Sequence, residues 1–487
     1  MLFNSVVFIT LFLPLTLLGW YLLQKLDNAF YAKIFLLGMS LWFYGYYNPW
    51  YLLILLGSLG LNYLCSILYE KCPGVLRQKL ILTLGLTGNI GILFFFKYFN
   101  FFVDNCNFLF HSDWQVEKIA LPLGISFFTF QQLSFVIDRY RKEAPHYSFV
   151  DYGCFVTFFP QLIAGPIVLH SEFVPQLMER KNRRMDGERF YDGIALFILG
   201  LGKKVLLADT LAVIVNAEFG NIAYLDAPGA WLTVICYTFQ LYFDFSGYCD
   251  MARGIGRMFG FELPENFNSP LMAVSVSDFW HRWHMTLSRF LTTYIYIPLG
   301  GNRKGLPRQC LNLMIVFLVS GFWHGANWTF VAWGLLHGVA MVIEKVFPGF
   351  HFRNVWLRRL TTSLFVMSAW VFFRSDSLGQ AGLLLQKMFA GGFHNSFLGV
   401  CNVLQIPETY IIRKGLTMLL PQALNPFYVT CMVLLLGIAT MLTIGPKAER
   451  WIERWGRTGR GMFCLATILV WSFISLSQVS VFLYFNF

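Results

Sequence analysis

Apolar residues along the chain gather in long blocks. Those long enough to cross a bilayer, about 20 residues of helix, lie near 6–23, 80–98, 119–137, 193–215, 230–249, 326–346, 428–444 and 462–484. Shorter or interrupted blocks lie near 34–47, 50–69, 150–170, 309–325 and 358–373. The pattern predicts an all-α integral membrane protein with about 11–13 transmembrane or re-entrant helices. Residues 1–487 form one membrane domain in this reading, with no separate soluble domain and no fixed-period repeat. The opening MLFNS carries no basic segment and no small-residue cleavage site, so the block from Val6 to Leu23 is expected to be a retained first span.

Two stretches break the pattern. Residues 150–170 hold Pro160, Gly165 and Pro166 inside an apolar run. Helix breaks at membrane depth survive only where protein or a wet cavity satisfies the freed backbone groups. The segment is a candidate re-entrant hairpin, with a kinked ordinary span as the alternative. In 271–300, Ser275, Asp278, His281, Arg282, His284, Ser288 and Arg289 interleave with Phe279, Trp283, Leu287, Phe290 and Leu291. That mixture predicts a helix lying at the interface or facing a polar cavity.

Composition agrees with a membrane protein: 56% of residues are hydrophobic, only 13% are charged, and Phe alone accounts for 52 positions. Soluble domains run near 25% charged, so a soluble globule and a disordered chain are both excluded. The net charge of +11 comes from separate clusters at 25–33, 71–79, 139–142, 180–189, 303–308, 353–359 and 447–460. They form no single stripe, so nucleic acid is not the expected partner. Lys and Arg collect in cytoplasmic loops, and every cluster can be placed on that side. Both termini, and loops 100–118 and 376–426, are then expected outside. None of the ten cysteines forms a CxxC pair, and most sit in apolar runs, as small buried hydrophobes do.

Ionisable groups inside apolar blocks are costly and are functional candidates by default. Asp244, Ser246, Asp250, Arg253 and Arg257 share one such region. Asp250 and Arg253, three residues apart, can neutralise each other on a helix. An ion pair that only fixes packing is the alternative. The nearby glycines miss the dinucleotide fingerprint, and Lys203 and Lys204 lack Walker spacing. His281 and His284 stand three apart, but no HExxH, carboxylate or cysteine completes a metal shell, so no metal is expected. His324 lies between Gly321 and Gly325, with Trp323 and Trp328 close by. A desolvated imidazole stays neutral and can take a proton from a hydroxyl or thiol. A hydrogen-bonded structural histidine is the alternative.

FWHRWHMTLSRFLTTYIYIPLGGNRKG (279–305) followed by GFWHGANWTFVAWGLLHG (321–338) resembles the membrane-bound O-acyltransferase (MBOAT) family, in particular its bacterial polysaccharide O-acetyltransferase branch. PLGISFFTFQQLSFVIDRYR (122–141), FFPQLIAGPI (158–167), YFDFSGYCDMARGIGRMFGF (242–261) and the terminal FLYFNF extend the resemblance over most of the chain. It implies a ring of helices around a central tunnel. His324 takes the catalytic role, and His284 orients the substrate or stabilises the thioester oxygen. Trp280, Trp323, Asn327, Asp244 and Ser246 are expected to bind substrate, while Arg303 and Lys304 steer the phosphates of a cytoplasmic donor, acetyl-CoA. His281 is left out, and His337 is expected to pack. No bound cofactor is implied. Acetyl passes across the inner membrane to a periplasmic SGNH-type acetyltransferase, which O-acetylates alginate or peptidoglycan. A lipid- or protein-directed acyltransferase and an acetyl or polysaccharide transporter are the alternatives.

Overall fold

The apolar blocks fold as helices in the computed structural model, which describes residues 1–179, 184–349, 352–478 and 483. Part of the 180–189 basic cluster, the end of the 462–484 block and all of FLYFNF except Leu483 lie outside the described residues. Among the described residues the only strand-like pairing is one bridge between Phe267 and Trp283. The chain is an all-α, multi-pass membrane protein. Five described helices are long and apolar enough to cross a membrane: Trp50–Lys71, Val75–Phe110, Leu306–His324, Trp328–Val346 and Pro421–Ile444. Other predicted blocks are helical too, but shorter or interrupted by buried polar residues such as Lys204 and Asp244. Two stretches expected as loops contain helix. The second span runs on to Phe110, and 376–426 contains Leu378–Ala390, Ser396–Val403 and Tyr410–Leu419.

The chain divides into two compact units, residues 1–199 with 248–265, and 200–247 with 266–487. In the first, polar side chains join α1 (Trp50–Lys71), α2 (Val75–Leu93), α3 (Ile125–Arg141) and α4 (Phe149–Thr157). Asn62 Nδ2 donates to Gln132 Oε1 at 2.8 Å, Asn89 Nδ2 to Asn62 Oδ1 at 2.6 Å, and Gln132 Nε2 to Ser58 Oγ at 2.9 Å. Interhelical amides of this kind hold membrane helices together where lipid supplies no hydrophobic drive. Next to this network, His170 Nε2 lies 3.0 Å from Asp138 Oδ2, and its Nδ1 lies 3.0 Å from the Tyr147 hydroxyl.

The 150–170 segment is buried almost throughout and broken at Phe158. A one-turn helix, Phe159–Leu162, follows with Pro160 in its first turn, where the missing N–H costs nothing. The Gln161 amide donates to the Phe155 carbonyl at 2.5 Å, satisfying a group near the break. Gly124, at φ +73°, lets the PLGISF motif approach this turn. A Cβ there would lie 2.6 Å from the Leu162 carbonyl oxygen.

In the second unit the dominant feature is a helical hairpin of α5 (Leu306–His324) and α6 (Trp328–Val346). Gly321 does not break α5; it allows α6 to approach, since a Cβ on it would sit 3.1 Å from Gly334 Cα. Each arm has 19 residues, about 28 Å at 1.5 Å per residue. The first arm is thus longer than the short run expected at 309–325.

Candidate active site

The 271–300 stretch is not one helix. After a 3₁₀ turn at Pro270–Met272 come helices Val276–Trp280 and Met285–Leu291, with a turn between them. The first is capped twice: Ser275 Oγ accepts from Asp278 N at 3.0 Å, and the Glu344 carboxylate accepts from Val276 N at 2.6 Å and Ser277 N at 2.9 Å. A carboxylate suits the donor-rich end of a helix. The chain then turns back on residues 266–268, with Asn268 N donating to Arg282 O at 2.8 Å and Met285 N to Asn266 O at 3.0 Å.

His284 sits at this turn, fully buried, with φ +45° and ψ +52°. Left-handed backbone is unfavourable for a non-glycine residue and persists only where its surroundings hold it. Its Nδ1 is 3.1 Å from Asn266 Oδ1, which also accepts from Thr286 N at 3.2 Å and Thr286 Oγ1 at 2.9 Å. The Thr286 backbone N–H can only donate, so the Asn266 atom is the oxygen and the imidazole proton is on Nδ1. Burial holds the ring well below the usual histidine range, hence neutral. Nε2 then presents a lone pair, and it has no hydrogen-bond partner among the described residues. In this tautomer Nε2 of the neutral ring is an acceptor, suited to a hydroxyl or thiol donor.

His324 ends α5, buried at 4% exposure. Its ring packs against Trp323, Trp333 and Phe373 at centroid distances of 4.8, 5.1 and 5.1 Å. Trp323 also meets the His284 ring at 6.2 Å, and Phe245 covers His284 edge-on at 4.8 Å. Trp323 therefore touches both histidines. Trp280 stands one layer back, against Trp333, and donates through Nε1 to His337 Nδ1 at 3.2 Å. His281 is exposed.

The other expected contacts are distributed differently. Both ends of the Asn327 amide are committed to the fold: Oδ1 caps α6 by accepting from Thr329 N at 3.0 Å, and Nδ2 donates to Asp376 O at 2.9 Å. Asp244 is paired with buried Lys204 at 2.6 Å and accepts from Leu483 N at 2.9 Å. Lys204 also meets Asp209 at 2.7 Å. Ser246 Oγ is buried with no hydrogen-bond partner among the described residues. Arg303 and Lys304 are exposed in the loop that leads into α5, at the opposite end of that helix from His324.

Sequence reasoning missed Asn266, Lys204, Asp209, Phe245, Trp333 and Phe373. Lys204 and Asp209 lie in the 193–215 apolar block, where the cost of burying charge marks any ionisable residue. Asn266 carried no such signal.

The model of the membrane-bound O-acyltransferase family matches residues 78–374. The chain is 39% identical to the peptidoglycan O-acetyltransferase of Helicobacter pylori, over all of this chain and 98% of the relative. It is 40% identical to the "Probable alginate O-acetylase AlgI" of Azotobacter vinelandii over 80% of this chain and 79% of the relative. It is 26% identical to the teichoic acid D-alanyltransferase of Bacillus subtilis over 50% and 65%. Matched by the family model over residues 78–374 and by the Helicobacter pylori relative from end to end, the chain belongs to the membrane-bound O-acyltransferase family and is an acyltransferase.

Proposed function

We propose that the chain takes acetyl from acetyl-CoA on the cytoplasmic side of the inner membrane and delivers it for O-acetylation of an extracytoplasmic polysaccharide. The observation that carries this reading is the pair of buried histidines, His284 and His324, packed on the one tryptophan, Trp323. His324 accepts the proton of the attacking hydroxyl as its oxygen bonds to the thioester carbonyl carbon. The carbon–sulfur bond then breaks, and the proton passes to the departing thiolate. His284, an acceptor at Nε2, orients the hydroxyl. Trp323 lines the reacting group, and Trp280 supports that wall through Trp333.

Asp244, with Ser246, fits a structural charge cluster better than a substrate contact, because Lys204 and Leu483 already occupy its oxygens. Arg303 and Lys304 can reach only the distal, phosphate-bearing part of a long donor by charge steering. The acetyl group passes to a periplasmic SGNH-type partner, and both termini face that side.

Peptidoglycan is favoured over alginate because similarity to the Helicobacter pylori peptidoglycan enzyme covers both chains nearly end to end, whereas that to the alginate relative covers about four fifths. Mass spectrometry of muropeptides from a strain lacking this chain tests the substrate. Ester-linked acetate should vanish and return on complementation. Muropeptides with unchanged acetate, with loss instead from an exopolysaccharide, would refute peptidoglycan.

A further inference from the structure

Asn266 grips the His284 turn at three consecutive residues. Its side-chain oxygen takes the Nδ1–H of His284 and both the backbone N–H and the hydroxyl of Thr286, while its own carbonyl takes the N–H of Met285. It is 1% exposed. One side chain thus holds both the left-handed backbone of His284 and the direction in which its ring points. The rings packed on that imidazole, Phe245 and Trp323, do not titrate, so Asn266 is the polar group that decides where its proton resides.

Resting on the reading that His284 belongs to the acyl-transfer site, we propose that Asn266 is a positioning residue: it locks His284 in the Nδ1–H tautomer and aims the Nε2 lone pair at the hydroxyl or thiol that receives the acyl group. The choice of an amide has chemical content. A carboxylate facing Nδ1–H stabilises the imidazolium that forms when a histidine acts as base. A neutral amide orients the ring equally well without favouring that cation. His284 is thereby kept as a neutral hydrogen-bond acceptor, and the proton is left to His324. The same geometry selects substrates that bring a donor to Nε2. It disfavours groups that present only an acceptor there, because two lone pairs would then face each other in a buried site.

Two measurements on the full chain in detergent test this. In the first, the protein is labelled with ¹⁵N-histidine and the His284 resonances are assigned by their loss in His284→Gln. The Nδ1–H tautomer is expected, and the Nε2–H tautomer would overturn the proposal. In the second, acetyl transfer from labelled acetyl-CoA is followed against pH for Asn266→Ala and Asn266→Asp. Asn266→Ala should lose roughly 10- to 100-fold in kcat with KM for acetyl-CoA within about twofold, the pattern of a lost positioning contact. Asn266→Asp preserves shape and the acceptor but adds charge, so the acid limb of its kcat profile should move up by about one pH unit or more. A purely structural role would lower the yield of folded protein and leave the profile of the active fraction in place. That result in Asn266→Asp, with kcat within about twofold of wild type, would overturn the proposal. Full activity in His284→Gln would instead overturn the reading on which it rests.

Discussion

Replacing Lys204 with methionine removes the ammonium between two buried carboxylates. Lys204 is 3% exposed, with Nζ 2.7 Å from Asp209 Oδ1 and 2.6 Å from Asp244 Oδ1. Two oxygens bound to one nitrogen lie roughly 5 Å apart or less, and like charges at about 5 Å repel by about 3 kcal/mol at an effective dielectric near 20. Breaking a buried ion pair from one side costs ~3–5 kcal/mol by the same physics. Lys204→Met should therefore melt on the order of 6–20 °C lower, at ~2–4 °C per kcal/mol. Gel filtration of the full chain after heating in detergent reads this directly. Adding Asp209→Asn removes one of the two opposed charges and should recover about half the loss, because Asp244 keeps its bond from Leu483 N. A Lys204→Met protein melting within about 1 °C of wild type, or no recovery in the double variant, would refute the charge argument.

Gly321→Leu places a side chain where α6 already packs, so it should destabilise by about 1–3 kcal/mol or more, seen as a lower melting temperature in the same heating assay. Asp226 caps the 227–258 helix and accepts from Ser396 Oγ and from the N–H groups of Gly229, His394 and Ser396. Burial alone would raise its carboxyl, but these bonds outweigh that and lower it to about 2. With a folded value below the unfolded one, its stabilisation is complete above about pH 4 and is lost as pH falls through the folded value. Thermal stability measured against pH should accordingly fall across that acid window in wild type and less in Asp226→Asn. Reversing the loop charges with Arg303→Glu and Lys304→Glu should raise the KM for acetyl-CoA several-fold at low salt with little change in kcat, and the difference should shrink as salt is added.

Hydrophobic blocks reveal helices because a span must satisfy its backbone internally, and so the all-α membrane class was legible without any tertiary information. The ordered motifs likewise made His284 and His324 visible. Their supports were not. Asn266 is 18 positions from His284 and Lys204 is 40 from Asp244, and in each pair the two residues stand on different segments, so no single helix or strand brings them together. Asn327 shows the reverse case. An Asn just before an apolar helix is a signature of an N-cap, and Asn327 fills that place at the start of α6. The break in 271–300 was hidden because Phe279, Trp283 and Leu287 keep helical spacing through a turn whose left-handed residue is a histidine. Charge clusters bear on which side a loop takes, but they carry no information on how far Arg303 and Lys304 stand from His324; their place before the first turn of α5, which ends at His324, does.

The central claim is that His324 performs the acyl-transfer chemistry, and it is tested most directly in proteoliposomes holding equal amounts of inserted wild-type and His324→Ala protein, with labelled acetyl-CoA supplied on the basic-loop side. General-base removal predicts a loss of roughly 100- to 10,000-fold in acetyl released from the donor, with folding and insertion unchanged. Release by His324→Ala within about tenfold of wild type would contradict it.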